Sequence, residues 1–416
     1  MDSVNAFFHH GFAGGSKNTS RLLHYLAKKR PVTAYSLERP QFFEYTHSDV
    51  INKEIPKTEL ASHVIDSKFL TNYLIIQFIV NELKSTETST VLLGANLFPY
   101  GELILRAKKQ LSRLCDLNFK LVLHPVGSDI WQIGTQIPDQ VSALLDDGAV
   151  DGLFTYSKVF ADEITAYFGI RNPIKIIPPV LEAEKFKSLS TEEKVARRKQ
   201  IGFKAQDLVI HHHSSLRPVK CPEIVIKIAA ATAERVAGTC YLIMSGPFDC
   251  NKITDWGGGH AQKINKGPFR YRSNIGRLTI LWTGLTKQPE YTLQIADVEL
   301  NASLHDSFNI SLMEAIACGV PVVTNEIPGI VPDIRKSSSG IIFQSSRLGF
   351  DELNSIITGK QDRSTFFNME EAVAAIVSLA GQPEVARVIG LAGASYALST
   401  FHPDVIIDKF SRFLTL

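Results

Sequence analysis

Short apolar runs alternate with longer amphipathic stretches along nearly the whole chain. This alternation is typical of repeated βαβ units, in which parallel strands are connected by helices. In the first half of the chain, strands are predicted at 4–8, 32–36, 91–94, 120–124, 152–155 and 174–177. Helices are predicted between them, for example at 20–29, 69–84 and 101–114.

A second series of elements follows a proline-rich break. Ile177-Pro178-Pro179 ends the first series, and residues 180–190 are typical of a connector. After a charged helix at 191–201, strands are predicted at 208–213, 241–245, 278–282, 298–301, 320–324 and 340–343, and a final helix at 403–413. The chain is therefore predicted to contain two α/β domains with a border near residue 180.

The stretch Phe248–Gly276 lacks the alternation of apolar runs and amphipathic stretches. It is polar, contains three consecutive glycines and has few periodic apolar positions. It is long for a connection inside a compact domain, so we expect a functional or mobile loop here. Five basic side chains and two acidic ones make this loop locally positive.

Composition and charge exclude several classes of protein. The chain has 416 residues, of which 44% are hydrophobic and 21% charged, as in ordinary folded proteins. Its five cysteines include no CxxC pair, which argues against a disulfide framework or a cysteine zinc site and favours a reducing compartment. The 44 basic and 42 acidic side chains give a net charge of +2, without the excess typical of nucleic-acid binders.

No apolar run approaches the roughly 20 residues that a membrane-spanning helix needs. The N-terminus also lacks the basic and apolar regions of a secretory signal. We therefore expect a cytoplasmic protein without a transmembrane segment. Peripheral contact with the inner face of the membrane is left open.

Two segments of the first domain carry candidate binding residues. Gly14 and Gly15 lie in a glycine-rich turn between a strand and a helix, where backbone N–H groups can approach an anion. The spacing matches neither GxGxxG nor a P-loop, and an ordinary turn explains these glycines equally well. In LVLHPVGSDIW, His124 ends a predicted strand, where open α/β sheets bind ligands. We favour a hydrogen bond to a polyol over a bystander histidine.

In the second domain, a predicted strand ends in IHHHSSLRPVKCPE. Arg217 and Lys220 follow this strand, and two cations at a strand end suit a phosphate leaving group. Consecutive histidines on a strand point to alternate faces, so a metal site built on all three is the weaker interpretation.

The segment LNASLHDSFNISLMEAIACGVPVVTN is the most informative. It predicts a strand, a turn, a helix that begins near Ile310 and a second buried strand. Asp306 precedes the helix and Glu314 lies in its second turn. A helix N-terminus offers unpaired N–H groups to a diphosphate, with Glu314 placed to accept hydrogen bonds from ribose hydroxyls. A helix that merely carries two carboxylates is the plain alternative.

Taken together, these segments resemble the retaining, nucleotide-sugar-dependent glycosyltransferases of the GT-B fold, in particular glycosyltransferase family 4. The most specific block is Ile295–Phe343, in which the E-x7-E of the family becomes Asp306 and Glu314. Arg217 and Lys220 match the basic pair of the family. The chain departs from the family pattern at Ser307 and Asn309, which replace glycines, and at Cys221, which follows Lys220.

The resemblance implies an α/β protein of the GT-B fold. Two Rossmann-like, doubly wound domains would face a central cleft. Residues 1–180 would bind the acceptor and residues 181–402 the nucleotide sugar, and the helix at 403–416 would cross back onto the first domain. The reaction would be transfer of a hexose-type sugar, with retention, from a UDP- or GDP-sugar to a hydroxyl acceptor.

The resemblance also assigns roles to residues. Arg217 and Lys220 would neutralise the leaving diphosphate, and Asp306 and His124 would contact the transferred sugar. The remaining donor-binding residues would be Gly14, Gly15, Ser307, Phe308, Asn309, Ile310, Ser311 and Glu314. The acceptor would lie near Asn96, Asp129 and Trp131, and its chemistry (small molecule, glycan or lipid-linked) is left open. We expect neither a cofactor nor a metal ion, because fixed cations can stabilise the diphosphate.

Two alternatives are retained. A non-catalytic nucleotide-sugar-binding or partner protein could share this fold, and such a binder would release no nucleotide from the donor. An epimerase or hydrolase acting on a nucleotide sugar is the third hypothesis, which product masses would distinguish.

Overall fold

The computed structural model describes residues 3–7, 14–36, 50–54, 67–84, 90–115, 118–247, 256, 260–359 and 361–415. Contacts divide the chain into two compact units. The first unit comprises Met1–Val180 together with Ile406–Leu416, and the second comprises Leu181–Val405. Each unit is built on its own β-sheet.

The described strands of the first unit form a seven-stranded parallel sheet in the order β3-β2-β1-β4-β5-β6-β7. The chain therefore winds first to one side of β1 and then, from β4, to the other. The elements are β1 (Ser3–Phe7), α1 (Gly14–Ala27), β2 (Val32–Ser36), β3 (Val50–Glu54), α2 (Ser67–Leu83), β4 (Thr90–Ala95), α3 (Glu102–Leu114), β5 (Phe119–His124), α4 (Pro138–Leu145), β6 (Gly152–Thr155), α5 (Lys158–Phe168) and β7 (Ile174–Ile176).

Alternate residues of the central strands form the core of the first unit. Leu93 of β4 and Phe154 of β6 are both fully buried there. The last helix of the chain, α14 (Pro403–Thr415), belongs to this core from Ile406 onward. Its apolar residues recur at helical spacing, which places them on one face. Among them, the Phe410 ring lies 5.2 Å from the ring of Phe154.

The described strands of the second unit form an eight-stranded sheet in the order β10-β11-β12-β9-β8-β13-β14-β15. Pairing is parallel from β12 to β15 and antiparallel at β10 and β11. The elements are α6 (Thr191–Ile201), β8 (Leu208–His213), α7 (Pro222–Ala233), β9 (Cys240–Ser245), β10 (Gln262–Lys266), β11 (Phe269–Ile275), β12 (Leu278–Gly284), α8 (Pro289–Leu293), β13 (Val298–Asn301), α9 (Ile310–Ala317), β14 (Val322–Asn325), α10 (Val331–Ser337), β15 (Gly340–Phe343), α11 (Phe350–Thr358), α12 (Met369–Gly381) and α13 (Pro383–Phe401).

The prediction of a loop at Phe248–Gly276 is wrong for the second half of this segment, because β10 and β11 form an antiparallel hairpin there. Phe269 and Ser273 are buried, whereas Arg270 and Arg272 between them are exposed. Such alternation is the signature of a half-buried strand, but the exposed side chains make the segment polar overall and hide its apolar positions in the sequence. Residues 248–255 and 257–259 lie outside the described residues.

Two further elements of the first unit differ from the prediction. β3 was not predicted; it lies at the end of the sheet and its sequence, VINKE, is too polar to form a clear apolar run. Helix α1 begins at Gly14, before the predicted start at residue 20. The first amides of a helix have no intrahelical partner, so glycines that weaken a helix interior are tolerated in its first turn.

No single described helix has both the length and the apolar character to cross a membrane. Only α12 combined with α13 and α14, across a bend of 103°, meets the criterion of length and composition.

Candidate functional site

The strand order of the second unit creates a point of reversal between β8 and β13. From β8 the chain continues through β9 to one edge of the sheet, and it then returns to the other side of β8 to form β13. The loops after these two strands leave toward opposite sides. Open α/β sheets bind ligands at such a point, beyond the carboxyl ends of the strands. The two most informative predicted segments both meet here.

The loop after β8 is anchored on both sides. The Ser214 N–H donates to the carbonyl of Ser245 at 3.0 Å, and the Leu304 N–H donates to the carbonyl of Val219 at 2.9 Å. Gly246 permits the close approach, since it has a φ of 129° and a Cβ there would lie 1.9 Å from the Ser214 oxygen. The loops that follow β8 and β13 therefore form one connected surface.

Lys220 and Asp306 form an ion pair at this surface, although they are 86 residues apart in sequence. Their side chains are 14% and 11% exposed. The resemblance implies separate roles for them: Lys220 would neutralise the leaving diphosphate, and Asp306 would contact the transferred sugar. Arg217 lies on the exposed part of the same loop, where its Nε donates to the Ser215 hydroxyl at 3.2 Å. Arg217 also interacts electrostatically with Asp306, so the three predicted charges lie in one area.

Helix α9 begins at Ile310, as predicted, and Asn309 caps it from a left-handed conformation with a φ of 78°. The Asn309 side-chain oxygen accepts hydrogen bonds from the Leu312 N–H at 3.1 Å and the Ser311 hydroxyl at 2.8 Å. Phe308 is buried, with its ring 5.7 Å from that of Phe401. These predicted donor-binding residues thus hold the helix start in place, and the Leu312 amide is used by the cap. Ser307 lies in the same turn.

Glu314 lies one turn into α9 and is 3% exposed. Its Oε2 lies 3.9 Å from Nδ1 of His213, the last residue of β8. His213 is not among the predicted site residues. The available signal was a histidine at the carboxyl end of a strand, followed directly by the predicted cationic loop.

His211 and His212, which precede it, are fully buried. Burial lowers their pKa values to about 3 and about 4, so both imidazoles are neutral at neutral pH. The His212 Nδ1 contacts the Leu300 carbonyl at 2.9 Å, and the His211 Nδ1 contacts the Glu299 carboxyl group at 2.6 Å. Within the described part of the chain, no group of three or more His, Cys, Asp or Glu side chains is arranged to bind a metal ion.

In the first unit, the corresponding reversal lies between β1 and β4. Gly14 and Gly15 form the first turn of α1, which follows β1, rather than a free loop. The rest of the glycine-rich turn, residues 8–13, lies outside the described residues. Asn96 directly follows β4 in a left-handed conformation with a φ of 72°, and its N–H donates to the His124 carbonyl at 3.1 Å. The loops after β4 and β5 are therefore linked.

His124 ends β5 and is 1% exposed. Its ring stacks on Phe154 with a centroid distance of 4.1 Å, and burial lowers its pKa to about 4. Nδ1 lies 3.0 Å from the Phe154 carbonyl, which only accepts hydrogen bonds, so Nδ1 carries the proton. Nε2 is then a bare acceptor, and no other described residue donates a hydrogen bond to it.

Asp129 and Trp131, predicted near the acceptor, are both buried in the turn after β5. The Asp129 carboxylate accepts hydrogen bonds from the N–H groups of Leu97 at 3.0 Å and Gly127 at 2.8 Å. In the structure, this carboxylate joins the two loops that would surround an acceptor. Its contacts are those of a positioning group.

Residues 193–362 match the family model described as "Glycosyl transferases group 1". Among curated proteins, the D-inositol 3-phosphate glycosyltransferase of Segniliparus rotundus is 22% identical over 275 residues, covering 63% of this chain and 52% of that protein. The protein of the same name from Mycolicibacterium smegmatis is 25% identical over 203 residues, covering 48% and 43%. The chain spans about half the length of the curated relatives it matches.

Solved structures resemble the chain over its whole length. Sucrose-phosphate synthase from Thermosynechococcus elongatus has a TM-score of 0.72 at 14% identity, with 100% of this chain and 98% of that chain covered. Anabaena HepE in complex with UDP and glucose has a TM-score of 0.65 at 15% identity, with both chains covered completely. Likeness at such identities shows the fold. The predicted GT-B fold and the predicted resemblance to these glycosyltransferases are thereby confirmed.

Proposed function

With a glycosyl transferases group 1 segment on a GT-B fold as the premise, we propose that the chain is a retaining glycosyltransferase. It transfers a hexose-type sugar from a UDP- or GDP-sugar to a hydroxyl acceptor. The observation that supports this best is the meeting of Arg217, Lys220, Asp306 and Glu314 at the reversal point of the second sheet.

The leaving diphosphate gains negative charge as the glycosidic bond breaks. Lys220 and Arg217 stabilise that charge, since cations held in place before the reaction need little reorganisation in the transition state. Asp306 holds the Lys220 ammonium group through their ion pair. When the diphosphate binds, its oxygens compete with the Asp306 carboxylate for Lys220, and Asp306 then becomes available to accept a hydrogen bond from a sugar hydroxyl.

Glu314 accepts hydrogen bonds from the ribose hydroxyls. Its position one turn into α9 sets it back from the turn that contains Asp306. The diphosphate and the sugar therefore lie over the turn, and the nucleoside lies over the helix.

The first unit supplies hydroxyl recognition. Because His124 is neutral and its Nε2 is an acceptor, it pairs with a substrate hydroxyl rather than with a phosphate oxygen. Asn96 and Trp131 lie in the loops that Asp129 joins, and we assign acceptor binding to these loops. The curated relatives are named for inositol 3-phosphate, so a phosphorylated polyol is the first acceptor to test.

The test is nucleotide release from a panel of UDP- and GDP-sugars, with and without inositol 3-phosphate, followed by mass analysis of the product. A glycosyltransferase releases nucleoside diphosphate and yields a product heavier by one sugar. Release without a heavier product indicates a hydrolase, and binding without release indicates a non-catalytic binder. Lys220→Ala lowers the rate of release by roughly 100-fold in this proposal, whereas Lys227→Ala, on the exposed face of α7, leaves it unchanged.

We also propose that turnover needs no divalent metal. The argument is that Lys220 and Arg217 carry the positive charge that a metal ion would otherwise supply to the diphosphate. Turnover should therefore persist in EDTA. Loss of turnover in EDTA that magnesium or manganese restores would contradict this part of the proposal while leaving the transferase assignment intact.

A further inference from the structure

A buried acid–histidine pair lies beneath the proposed donor site. Glu299 of β13 and His211 of β8 are register partners on neighbouring strands, and both have an exposure of 0%. Their contact between Oε2 and Nδ1 is 2.6 Å long. The reaction proposed above uses neither residue.

The pair marks the place where the two strands part. Pairing of β8 with β13 ends at His211 and Glu299, whereas β8 remains paired with β9 as far as His213. Beyond this point the Glu299 side chain replaces the missing backbone partner, since its Oε1 accepts a hydrogen bond from the His213 N–H at 2.9 Å. One carboxyl group thus spans the opening between the strands.

His213 links this carboxyl group to the donor site. Its backbone is held by Glu299, and its Nδ1 lies 3.9 Å from Glu314 Oε2. Among the described residues, the ionisable groups that face Glu299 are the three histidines of β8, Glu314 of α9 and Cys318 at the end of α9. A change at Glu299 therefore reaches the nucleotide through His213 and Glu314.

Burial disfavours the charged form of both members of the pair. Burial raises the pKa of Glu299 to about 8 and lowers that of His211 to about 3, so at neutral pH the carboxyl group keeps its proton and donates it to Nδ1. The other ring nitrogen then donates to the hydroxyls of Ser245 and Thr292, each 3.2 Å away. In this state, the pair places no additional charge beside Glu314.

We propose that Glu299 is a positioning residue of the donor site, whose carboxyl group holds the end of β8 so that His213 faces Glu314. This inference rests on the proposed function, because it assumes that Glu314 binds the nucleotide. It also predicts that Glu299 limits nucleotide binding at high pH. An ionised Glu299 would add a negative charge close to Glu314 and to the bound diphosphate.

The test compares three variants by titration calorimetry with UDP and GDP between pH 7 and pH 9. Glu299→Gln keeps an acceptor for the His213 N–H and a donor for His211, so its affinity at pH 7 should match the wild type. The affinity of the wild type for the nucleotide should fall by roughly tenfold between pH 7 and pH 9, because Glu299 becomes negatively charged. Glu299→Gln cannot ionise, so its affinity should not show this decrease. Glu299→Leu, which loses both hydrogen bonds, should bind about tenfold more weakly at pH 7.

His212→Gln is the matched control. His212 is an equally buried histidine of β8 whose Nδ1 contacts a carbonyl instead of Glu299, so the pH profile of this variant should follow the wild type. If Glu299→Gln follows the wild-type profile up to pH 9, the inference is overturned, even if Glu299→Leu fails to fold. If the wild type binds neither nucleotide, the proposed function fails, and the inference fails with it.

Discussion

At the scale of single residues, the candidate site depends on pairs of opposite charges and buried acceptors rather than on isolated catalytic groups. Lys220 is neutralised by Asp306, and the Glu314 carboxyl group lies near His213. The effect of removing one partner therefore depends on whether the other is present. Double-mutant cycles measure such dependence directly.

The first prediction concerns the Lys220–Asp306 pair. Lys220→Ala should lower kcat by roughly 100-fold, the cost typical of losing one group that stabilises charge in a transition state. Asp306→Asn should lower kcat less, and the double variant should be little worse than Lys220→Ala, because Asp306 acts partly by holding Lys220. Steady-state kinetics of the four proteins tests this. Strictly additive effects would show that the pair does not act as a unit.

The second prediction separates the two carboxylates of the α9 segment. Glu314→Gln should weaken nucleoside diphosphate binding about tenfold or more, because a charged acceptor of ribose hydroxyls is lost. Asp306→Asn should leave that affinity unchanged or raise it, since Lys220 is released from its ion pair. Titration calorimetry with the free nucleotide makes the comparison. Equal losses in both variants would contradict the assignment of ribose to Glu314 and sugar to Asp306.

At the scale of elements, the sheets position the site and the helices are packed closely behind it. Helix α13 crosses the end of α9 where two glycines face each other. A Cβ on Gly390 would lie 2.1 Å from the backbone oxygen of Gly319, so no larger residue fits without moving a helix. Because α9 begins at the turn that contains Asp306, this contact helps to hold the site.

The third prediction follows from this helix contact. Gly390→Ala should destabilise the second unit by about 1–3 kcal/mol through overpacking, and thermal unfolding should show a lower Tm. Gly381→Ala at the end of α12 is the matched control, since nothing lies within 4 Å of a Cβ there. An unchanged Tm for Gly390→Ala would mean that the helices can separate without cost.

At the scale of the whole molecule, buried histidines tie the stability of the chain to pH. His124, His211 and His212 are buried with pKa values lowered to about 4, 3 and 4. In the unfolded chain these groups titrate near pH 6.5. Between these limits, the unfolded state binds more protons than the folded state. The stability these residues contribute is therefore complete above about pH 6.5 and is lost progressively as the pH falls toward 4.

The fourth prediction isolates this effect with His212→Gln. Wild-type stability should drop relative to the variant as the pH is lowered from 7 to 5, because only the wild type must exclude a proton from this position. Glu299, with its pKa raised to about 8, changes stability in the opposite direction over the same range but is common to both proteins. Denaturant unfolding at the two pH values gives the difference. A constant difference would show that His212 accepts a proton without unfolding.

The amino-acid sequence by itself determined those helices and strands that show a clear pattern of apolar or charged residues. The bounds of β8, β13, β15 and α6 agree with the prediction, since each strand includes apolar residues between polar segments or turns and a charged, capped helix is equally distinct. The β10–β11 hairpin escaped prediction because half of its residues face solvent. The candidates Arg217, Lys220 and Asp306 were also visible as charges that follow predicted strands, and Glu314 as a charge inside an apolar helix.

Only the tertiary structure decided which of these groups meet. Strand order brings Lys220 to Asp306 across 86 residues and His211 to Glu299 across 88, and no local pattern encodes such a pairing. Burial then sets the protonation of His124 and Glu299, because the cost of a charge depends on what surrounds it and not on its neighbours in sequence. The chemistry of this site therefore depends on the strand order, which brings together residues that the sequence places only on separate elements.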